Sequence, residues 1–596
     1  MKRLLTGNEA IARGAFEAGA RFASAYPGTP STEILQNLAS YDEIMAEWAP
    51  NEKVSLEAVI GASLGGVRAI CAMKHVGLNV AADPFFTFAY TGVGGGTVII
   101  TADEPGQHSS QNEQDNRWYA LSAKVPMLEP ANSQECLDIV KEAFRISEEY
   151  DTPVLLRLTT RVCHSKGVVE IGERVEHEAK PYVKNAAKYV MVPNLAMERR
   201  AVVEKRMAKL AELADMTPLN HIEKGGKTGV IASGVSRHYV KEIFGNTATY
   251  LHLGFTNPLP EKILDDFAQL VDEIYVVEEN DPYLLNWVRS MGHSGKVKTV
   301  FPTSGELTPD VLRKALGKSG PPAASQGVEG LLDRPPTLCA GCPHRGFFYE
   351  LSKIKNVCIT GDIGCYTLGF TEPYNAMDSC ICMGGAFSVG HGFAKAMGLV
   401  GGTMRTVGIL GDSTFFHMGI NSLIEVVYNN SKTVCVILDN RITAMTGGQQ
   451  HPGTGRTAKG KPATAMDIAA IVRAIGIELV IEVNPNDLKA VRAALAEALA
   501  FDGPSVVLTR WPCVLKRMDD EERALYGNPF TKRYQVNENC IGCKLCIKCG
   551  CPAISMKSEA CERAKSVINT VQCMGCDVCA QICPKNAIVE TEVVHG

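Results

Sequence analysis

The sequence predicts an α/β protein, three α/β domains followed by a small cysteine-dense C-terminal domain. Three observations carry this expectation. Short apolar runs alternate with helical stretches over most of the chain, as in parallel sheets with crossover helices. The length of 596 residues suits roughly four domains. Ten of the 21 cysteines crowd between Cys540 and Cys583, which sets the last segment apart.

The first domain is expected over residues 1–180, with strands at Thr97-Val98-Ile99-Ile100 and Pro153-Val154-Leu155-Leu156. A charged stretch from Asn194 to Leu213 reads as a helix. A second α/β domain, 190–316, has strands in Gly229–Gly234 and Ile274–Val277. Gly320-Pro321-Pro322 marks a linker over 317–335. The third domain, 336–525, contains a strand at Thr406–Leu410, a helix at Ile420–Tyr428 and a buried strand at Thr433–Leu438. The fourth, 530–596, holds a duplicated cysteine motif.

Composition excludes several function classes. Sixty Lys and Arg against 65 Asp and Glu give a net charge of -5, which excludes a generally basic nucleic-acid binder. Mean hydropathy is near zero, and no apolar run approaches the ~20 residues that span a bilayer. Asn8-Glu9 follows Met1–Leu5 too soon for a signal-peptide core, so a cytoplasmic protein is expected. Clustered thiols in a reducing compartment point to metal rather than disulfides.

The tail motifs are Cys540-x2-Cys543-x2-Cys546-x4-Cys551-Pro552 and Cys573-x2-Cys576-x2-Cys579-x3-Cys583-Pro584. Two-residue gaps let tight turns aim successive sulfurs at one cluster, and the Cys before Pro serves the other cluster. One [4Fe–4S] cluster is therefore assigned to Cys540, Cys543, Cys546 and Cys583, the second to Cys573, Cys576, Cys579 and Cys551. Zinc ribbons are the competing reading. Cys549 and Cys561 are left over, and Cys549 is the alternative to Cys551. The segment resembles bacterial two-cluster ferredoxins, an electron wire that needs a redox reaction to feed it.

In the third domain, Gly411-Asp412-Ser413 ends one strand and Asp439-Asn440 ends the next. Ligands of open α/β sheets bind outside the carboxyl ends of strands. A carboxylate, an amide oxygen and a loop carbonyl suit a Mg²⁺ ion that also binds phosphate. Gly384-Gly385-Ala386 and Gly390-His391-Gly392 predict a small-residue helix start whose amides cradle a diphosphate. These segments resemble the thiamine-diphosphate enzymes, whose signature is Gly-Asp-Gly followed later by Asn-Asn. Each end departs by one residue here. The resemblance implies cofactor contacts at Gly384, Gly385, Gly411, Asp412, Ser413 and Asn440. It adds the carbonyl of Ile442 to Asp412 and Asn440 as metal ligands.

The same resemblance implies a Glu that hydrogen-bonds the cofactor's pyrimidine and so activates the thiazolium carbon. Glu52, nine residues before Gly61 in a small-residue helix, matches; Glu57 is the second candidate. Tyr26-Pro27-Gly28-Thr29-Pro30-Ser31-Thr32 resembles a segment of the 2-oxoacid:ferredoxin oxidoreductases in which the Thr, here Thr29, points at the substrate carboxylate. A simpler reading makes it a turn in which Ser31 or Thr32 caps a helix. His108, Asn112 and Arg117 lie in a polar loop, where Arg117 pairs with a carboxylate either of substrate or of the surface.

Cys339, Cys342, Cys365 and Cys513 resemble the positions of a third cluster in that family. Cys-x2-Cys also suits zinc, and a buried free thiol behaves as a small hydrophobe. In domain order the chain resembles the large (α) subunits of indolepyruvate ferredoxin oxidoreductases, and the resemblance covers nearly all of it. The implied fold is three thiamine-diphosphate-enzyme-type domains, the middle one transketolase-C-like, plus a ferredoxin domain. The implied reaction converts an aryl-2-oxoacid, CoA and oxidised ferredoxin to acyl-CoA, CO2 and reduced ferredoxin, with a smaller β subunit as partner. The alternatives are an oxidoreductase for another 2-oxoacid, a non-oxidative decarboxylase, and an electron carrier with an inactive thiamine site. Phe85, Phe86, Phe88 and Phe415 are read equally as core or as pocket wall.

Overall fold

The computed structural model describes residues 1–320, 330–331, 335–527, 530–558 and 563–591. Most of the expected linker 317–335, and Cys561, lie outside the described residues. The chain forms two compact units, Met1–Glu329 and Gly330–Gly596. Among the described residues no helix is long and apolar enough to cross a membrane.

The first unit is built on a seven-stranded sheet in the order Phe255–Asn257, Met127–Leu128, Val154–Thr159, Thr97–Asp103, Ala69–Lys74, Phe22–Ala25, Met45–Trp48. All neighbours are parallel except the Phe255–Asn257 edge. The central strands are buried along their whole length, which is why they read as unbroken apolar runs. Helix Ser133–Tyr150 covers one face. Asn132 caps its start by accepting from the Glu135 amide, and Leu137, Val140 and Phe144 recur at helical spacing on its buried side.

Residues 190–316 were expected as a separate domain, yet their chain re-enters the first sheet. After strand Ala248–Leu253, the Asn220 side chain accepts from the amides of Gly254 and Phe255 at 3.0 Å each. This turns Phe255–Asn257 out to pair with Met127–Leu128. The rest forms a five-stranded sheet in the order Val297–Lys298, Glu273–Val277, Thr228–Ser233, Ala248–Leu253, His221–Glu223. The charged helix is Pro193–Met216.

The second unit carries a six-stranded, all-parallel sheet in the order Ser379–Cys380, Val357–Gly361, Arg405–Gly411, Thr433–Asp439, Ser505–Arg510, Leu479–Val483. The tail follows as two antiparallel pairs, Arg533–Val536 with Ile588–Thr591 and Ile554–Lys557 with Lys565–Ile568. Its small core contains Cys546, Cys549, Cys573 and Cys579 beside Val578 and Ile588.

Candidate functional site

Asp412 and Asn440 follow adjacent parallel strands, with Gly411 opposite Leu438 in register. Both are buried. One Asp412 oxygen accepts from the Ser413 amide at 2.8 Å, and the other lies 3.0 Å from His451 Nε2. Despite its burial, the His451 neighbour holds the Asp412 carboxyl below the usual carboxylate range. Asn440 accepts from the Ile442 amide at 3.2 Å and lies 3.5 Å from His344 Nε2. Burial pulls the His344 imidazole down to about 4. A carboxylate, an amide oxygen and the Ile442 backbone at two neighbouring strand ends form a hard-oxygen donor set that fits Mg²⁺. Sequence reasoning missed His344 and His451, since nothing in their local pattern brings them to Asp412.

The expected diphosphate cradle needs a correction. The amides of Gly384 and Ala386 donate to the Asp362 carboxylate at 2.9 and 3.0 Å, and the Gly385 amide donates to the Cys382 carbonyl at 3.1 Å. A buried carboxylate of this chain therefore caps helix Ala386–Leu399, and these three donors are engaged. Burial pushes the Asp362 carboxyl up to about 6 against the pull of its amide donors. Gly384 is needed for another reason. Its φ is +86°, and a Cβ there would lie 2.4 Å from Met418 Cβ.

The third cysteine set surrounds the end of this site. The Cys513 amide donates to the Asn440 carbonyl at 3.0 Å. Cys342 is buried, and burial together with the nearby Cys513 and Cys365 thiols raises its pKa. Cys365 is pushed up to about 11, chiefly by burial, with Cys513 and Cys339 adding. Cys339, Cys365 and Cys513 thus lie near enough to influence one another's charge, as Cys365 and Cys513 do that of Cys342. From this loop Arg345, 1% exposed, reaches the tail. Its guanidinium donates to the carbonyls of Cys339 at 2.8 Å and Cys549 at 3.2 Å, to Leu338 and Gly550, and to the Tyr374 hydroxyl.

The tail brings its cysteines together in two cavities. One is lined by Cys540, Cys543, Cys546 and Cys583, with Pro584 at its wall. The other is lined by Cys549, Cys551, Cys573, Cys576 and Cys579, together with Arg345 and Gly341 from the neighbouring loop. This is the interleaved grouping read from the spacing, and Cys549 and Cys551 both reach the second cavity. Among the described residues no three His, Cys, Asp or Glu side chains converge on a single ion. Ligands of a polynuclear cluster instead ring a cavity, and the donor chemistry fits iron–sulfur.

In the first unit, Glu52 opens helix Glu52–Leu64 behind the cap of Asn51 and is 5% exposed. Gly77 lies against it: a Cβ there would sit 2.8 Å from both Cγ and Oε1 of Glu52. Glu57 faces solvent and pairs with Lys53, which removes it as the alternative. Thr29 is half-buried beyond strand Phe22–Ala25. Ser31 does not cap by its side chain; its hydroxyl donates to the Gly28 carbonyl at 3.0 Å and closes the turn. Arg117 is neither a surface residue nor a substrate clamp. It is fully buried, ion-paired to Asp115 at 2.5 Å and Glu278 at 2.7 Å, and donates to the carbonyls of Glu279 and Asp281. His108 is exposed, 3.5 Å from Glu306, and the Asn112 carbonyl meets His75 Nε2 at 3.1 Å. Phe85 and Phe88 are core residues of the first unit, with Phe86 packed against that core, and Phe415 is a core residue of the second.

Two family models match the chain: the thiamine-diphosphate-binding region of pyruvate flavodoxin/ferredoxin oxidoreductases over residues 13–229, and the C-terminal binding domain of thiamine pyrophosphate enzymes over 362–508. Full-length relatives are called indolepyruvate oxidoreductase subunit IorA. The Archaeoglobus fulgidus protein is 39% identical, covering 98% of this chain and 97% of its own. That of Methanothermobacter marburgensis is 41% identical over 98% and 96%, and that of Pyrococcus horikoshii 38% over the same shares.

Proposed function

The chain belongs to the indolepyruvate oxidoreductase IorA family, and from that premise we propose that it performs thiamine-dependent oxidative decarboxylation of aryl-2-oxoacids, indolepyruvate foremost, to acyl-CoA. The electrons pass through [4Fe–4S] clusters to ferredoxin. A smaller β subunit completes the enzyme, which works in the cytoplasm.

The observation that carries the reading lies in the second unit. The main-chain carbonyl of Asn440, one residue of the strand-end site, accepts from the Cys513 amide, and Arg345 bonds the carbonyls of Cys339 and, in the tail, Cys549. A strand-end site with a cysteine set next to it, and two thiol-lined cavities in the tail, suits a reaction that must export electrons. A non-oxidative decarboxylase has no use for such a row.

Thiamine diphosphate, when bound, supplies the nucleophilic carbon and the electron sink. Glu52 holds the pyrimidine in the form that takes up the activating proton. Its burial and the close fit of Gly77 keep the carboxylate aimed. Asp412, Asn440 and the Ile442 carbonyl would hold Mg²⁺, which would supply the charge that binds a diphosphate, and Gly411 and Ser413 line the same strand end. Thr29 receives the substrate carboxylate. Cys540, Cys543, Cys546 and Cys583 hold one tail cluster, and Cys551, Cys573, Cys576 and Cys579 the other. Cys339, Cys342, Cys365 and Cys513 would hold a third, which would supply an electron acceptor on the side of the strand-end site.

The test is a panel of 2-oxoacids offered to this chain with its small partner, CoA and a viologen dye. Indolepyruvate and phenylpyruvate are expected to exceed pyruvate in kcat/KM, since an aromatic side chain buries ~150–250 Å². Preference for pyruvate or 2-oxoglutarate would overturn the aryl assignment. Dye reduction with none of them would overturn the chemistry.

A further inference from the structure

Four strands of the first sheet end side by side, in the order Thr97–Asp103, Ala69–Lys74, Phe22–Ala25, Met45–Trp48. All run parallel, so their carboxyl ends share one edge. Just beyond those ends stand Glu104, Lys74, Thr29 and Glu52. Lys74 is the cation in this row and has no role so far.

Its surroundings are unusual for a lysine. The stem lies on the backbone of Gly28, where a Cβ would be 3.2 Å from Lys74 Cγ and 3.3 Å from Cδ. Gly28 precedes Thr29, so the absence of a side chain at 28 lets the lysine stem lie against the backbone next to the threonine in sequence. The ammonium has three donors and makes one hydrogen bond, to the Ser109 carbonyl at 3.2 Å. Desolvation lowers its pKa, and the nearby Glu104 and Glu52 oppose that shift. Glu104 does not bond it; the carboxylate accepts from the Ser109 amide and hydroxyl at 3.0 and 2.7 Å and from the Ser110 hydroxyl. Helix His75–Val80, which starts after Lys74, also presents Gly77 to Glu52. One short element therefore sets both the ammonium and the catalytic carboxylate.

We propose that Lys74 is the carboxylate anchor of the substrate, its ammonium and the Thr29 hydroxyl together receiving the carboxylate of the 2-oxoacid; this rests on the thiamine-dependent reading above. One ammonium and one hydroxyl match a monoanion with two acceptor oxygens. A polyphosphate would call for several cations, and Glu104 and Glu52 flank this one with negative charge.

The chemistry gives the anchor a kinetic signature. The bond between carboxylate and acyl carbon breaks, its electron pair stays with the acyl carbon, and the carboxylate carbon leaves as neutral CO2. Charge thus leaves Lys74 as the reaction proceeds, so the ion pair is stronger in the ground state than in the transition state. Such an interaction shows in KM more than in kcat.

The experiment uses the complete thiamine-loaded complex with its small partner, comparing wild type, Lys74→Met and Lys74→Arg. It records dye reduction against indolepyruvate concentration and, separately, C2-proton exchange of the cofactor without substrate. Lys74→Met is expected to raise KM by about 10- to 100-fold, the loss of a charge-assisted hydrogen bond, with most of the defect in KM. C2 exchange is expected to match wild type, and Lys74→Arg to recover much of the affinity. An unchanged KM in Lys74→Met would overturn the assignment. So would a fall in C2 exchange equal to the fall in turnover, because the lysine would then act through Glu52 or the fold. A wild-type complex that oxidises no 2-oxoacid would overturn the functional reading, and this one with it.

Discussion

The six-stranded sheet of the second unit and the cysteine tail beside it hold functional residues by opposite means. Asp412 and Asn440 hang from strands whose ladders and buried faces are complete without any ligand. The tail has two short strand pairs, and four of its ten buried core residues are cysteines that line its cavities. In the sheet the fold makes the site. In the tail the proposed clusters would supply much of the fold, as metals do in small domains with little core.

Iron removal breaks this comparison most sharply. A chelator that strips all the iron is expected to abolish amide-exchange protection in Arg533–Val536, Ile554–Lys557, Lys565–Ile568 and Ile588–Thr591 while leaving Arg405–Gly411 and Thr433–Asp439 protected, read by hydrogen exchange. Anaerobically prepared wild type should carry about eight irons in the tail, or about twelve with the third set filled. Stoichiometric zinc instead would remove the wire.

Next in size is Glu52→Gln. Turnover should fall by ~10²–10⁴-fold, the scale of a positioned acid–base group, while thiamine diphosphate and Mg²⁺ stay bound. Asp412→Ala should do the reverse, weakening cofactor binding measured by calorimetry. The two outcomes separate a group that activates from one that holds.

Arg117→Met tests a joint inside the first unit. It leaves Asp115 and Glu278 buried without their cation, an expected loss of about 3–5 kcal/mol in denaturant unfolding. Gly77→Ala is a smaller perturbation, about 1–3 kcal/mol of overpacking, but it pushes on Glu52 directly. Slower C2-proton exchange with a single cooperative unfolding transition retained would mark it. Asp362→Ala should cost about 0.5–2 kcal/mol, as the loss of a helix cap does, and fray the first turn of Ala386–Leu399.

What could be read in advance divides along physical lines. Thr433–Asp439 was legible because a fully buried strand leaves an unbroken apolar run. Each tail triplet was legible because short gaps bring neighbouring sulfurs together whatever the rest of the chain does, and the interleaving of Cys583 with Cys540 because a Cys followed by Pro serves the other motif's cluster. Long-range encounters were not. Phe255–Asn257 joins a sheet whose paired strand lies well over a hundred residues earlier, and three residues carry no period. His451 meets Asp412, and Asp362 takes the amides of Gly384 and Ala386, through loops that encode no partner. Arg117 looked like a loop cation because the acids that bury it, Asp115 apart, come from another sheet. Lys74 ends an apolar strand and showed no motif at all.

The central claim is that electrons freed at the strand-end site pass into the tail. Single-turnover mixing of the oxidised, thiamine-loaded complex with indolepyruvate and CoA, without ferredoxin, tests it most directly. Released CO2 and the paramagnetic signal of reduced clusters are followed together. The account predicts two electrons in the clusters per CO2, and loss of one cluster's signal in Cys573→Ala with CO2 release retained. Full CO2 release from wild type with the clusters left oxidised would contradict it.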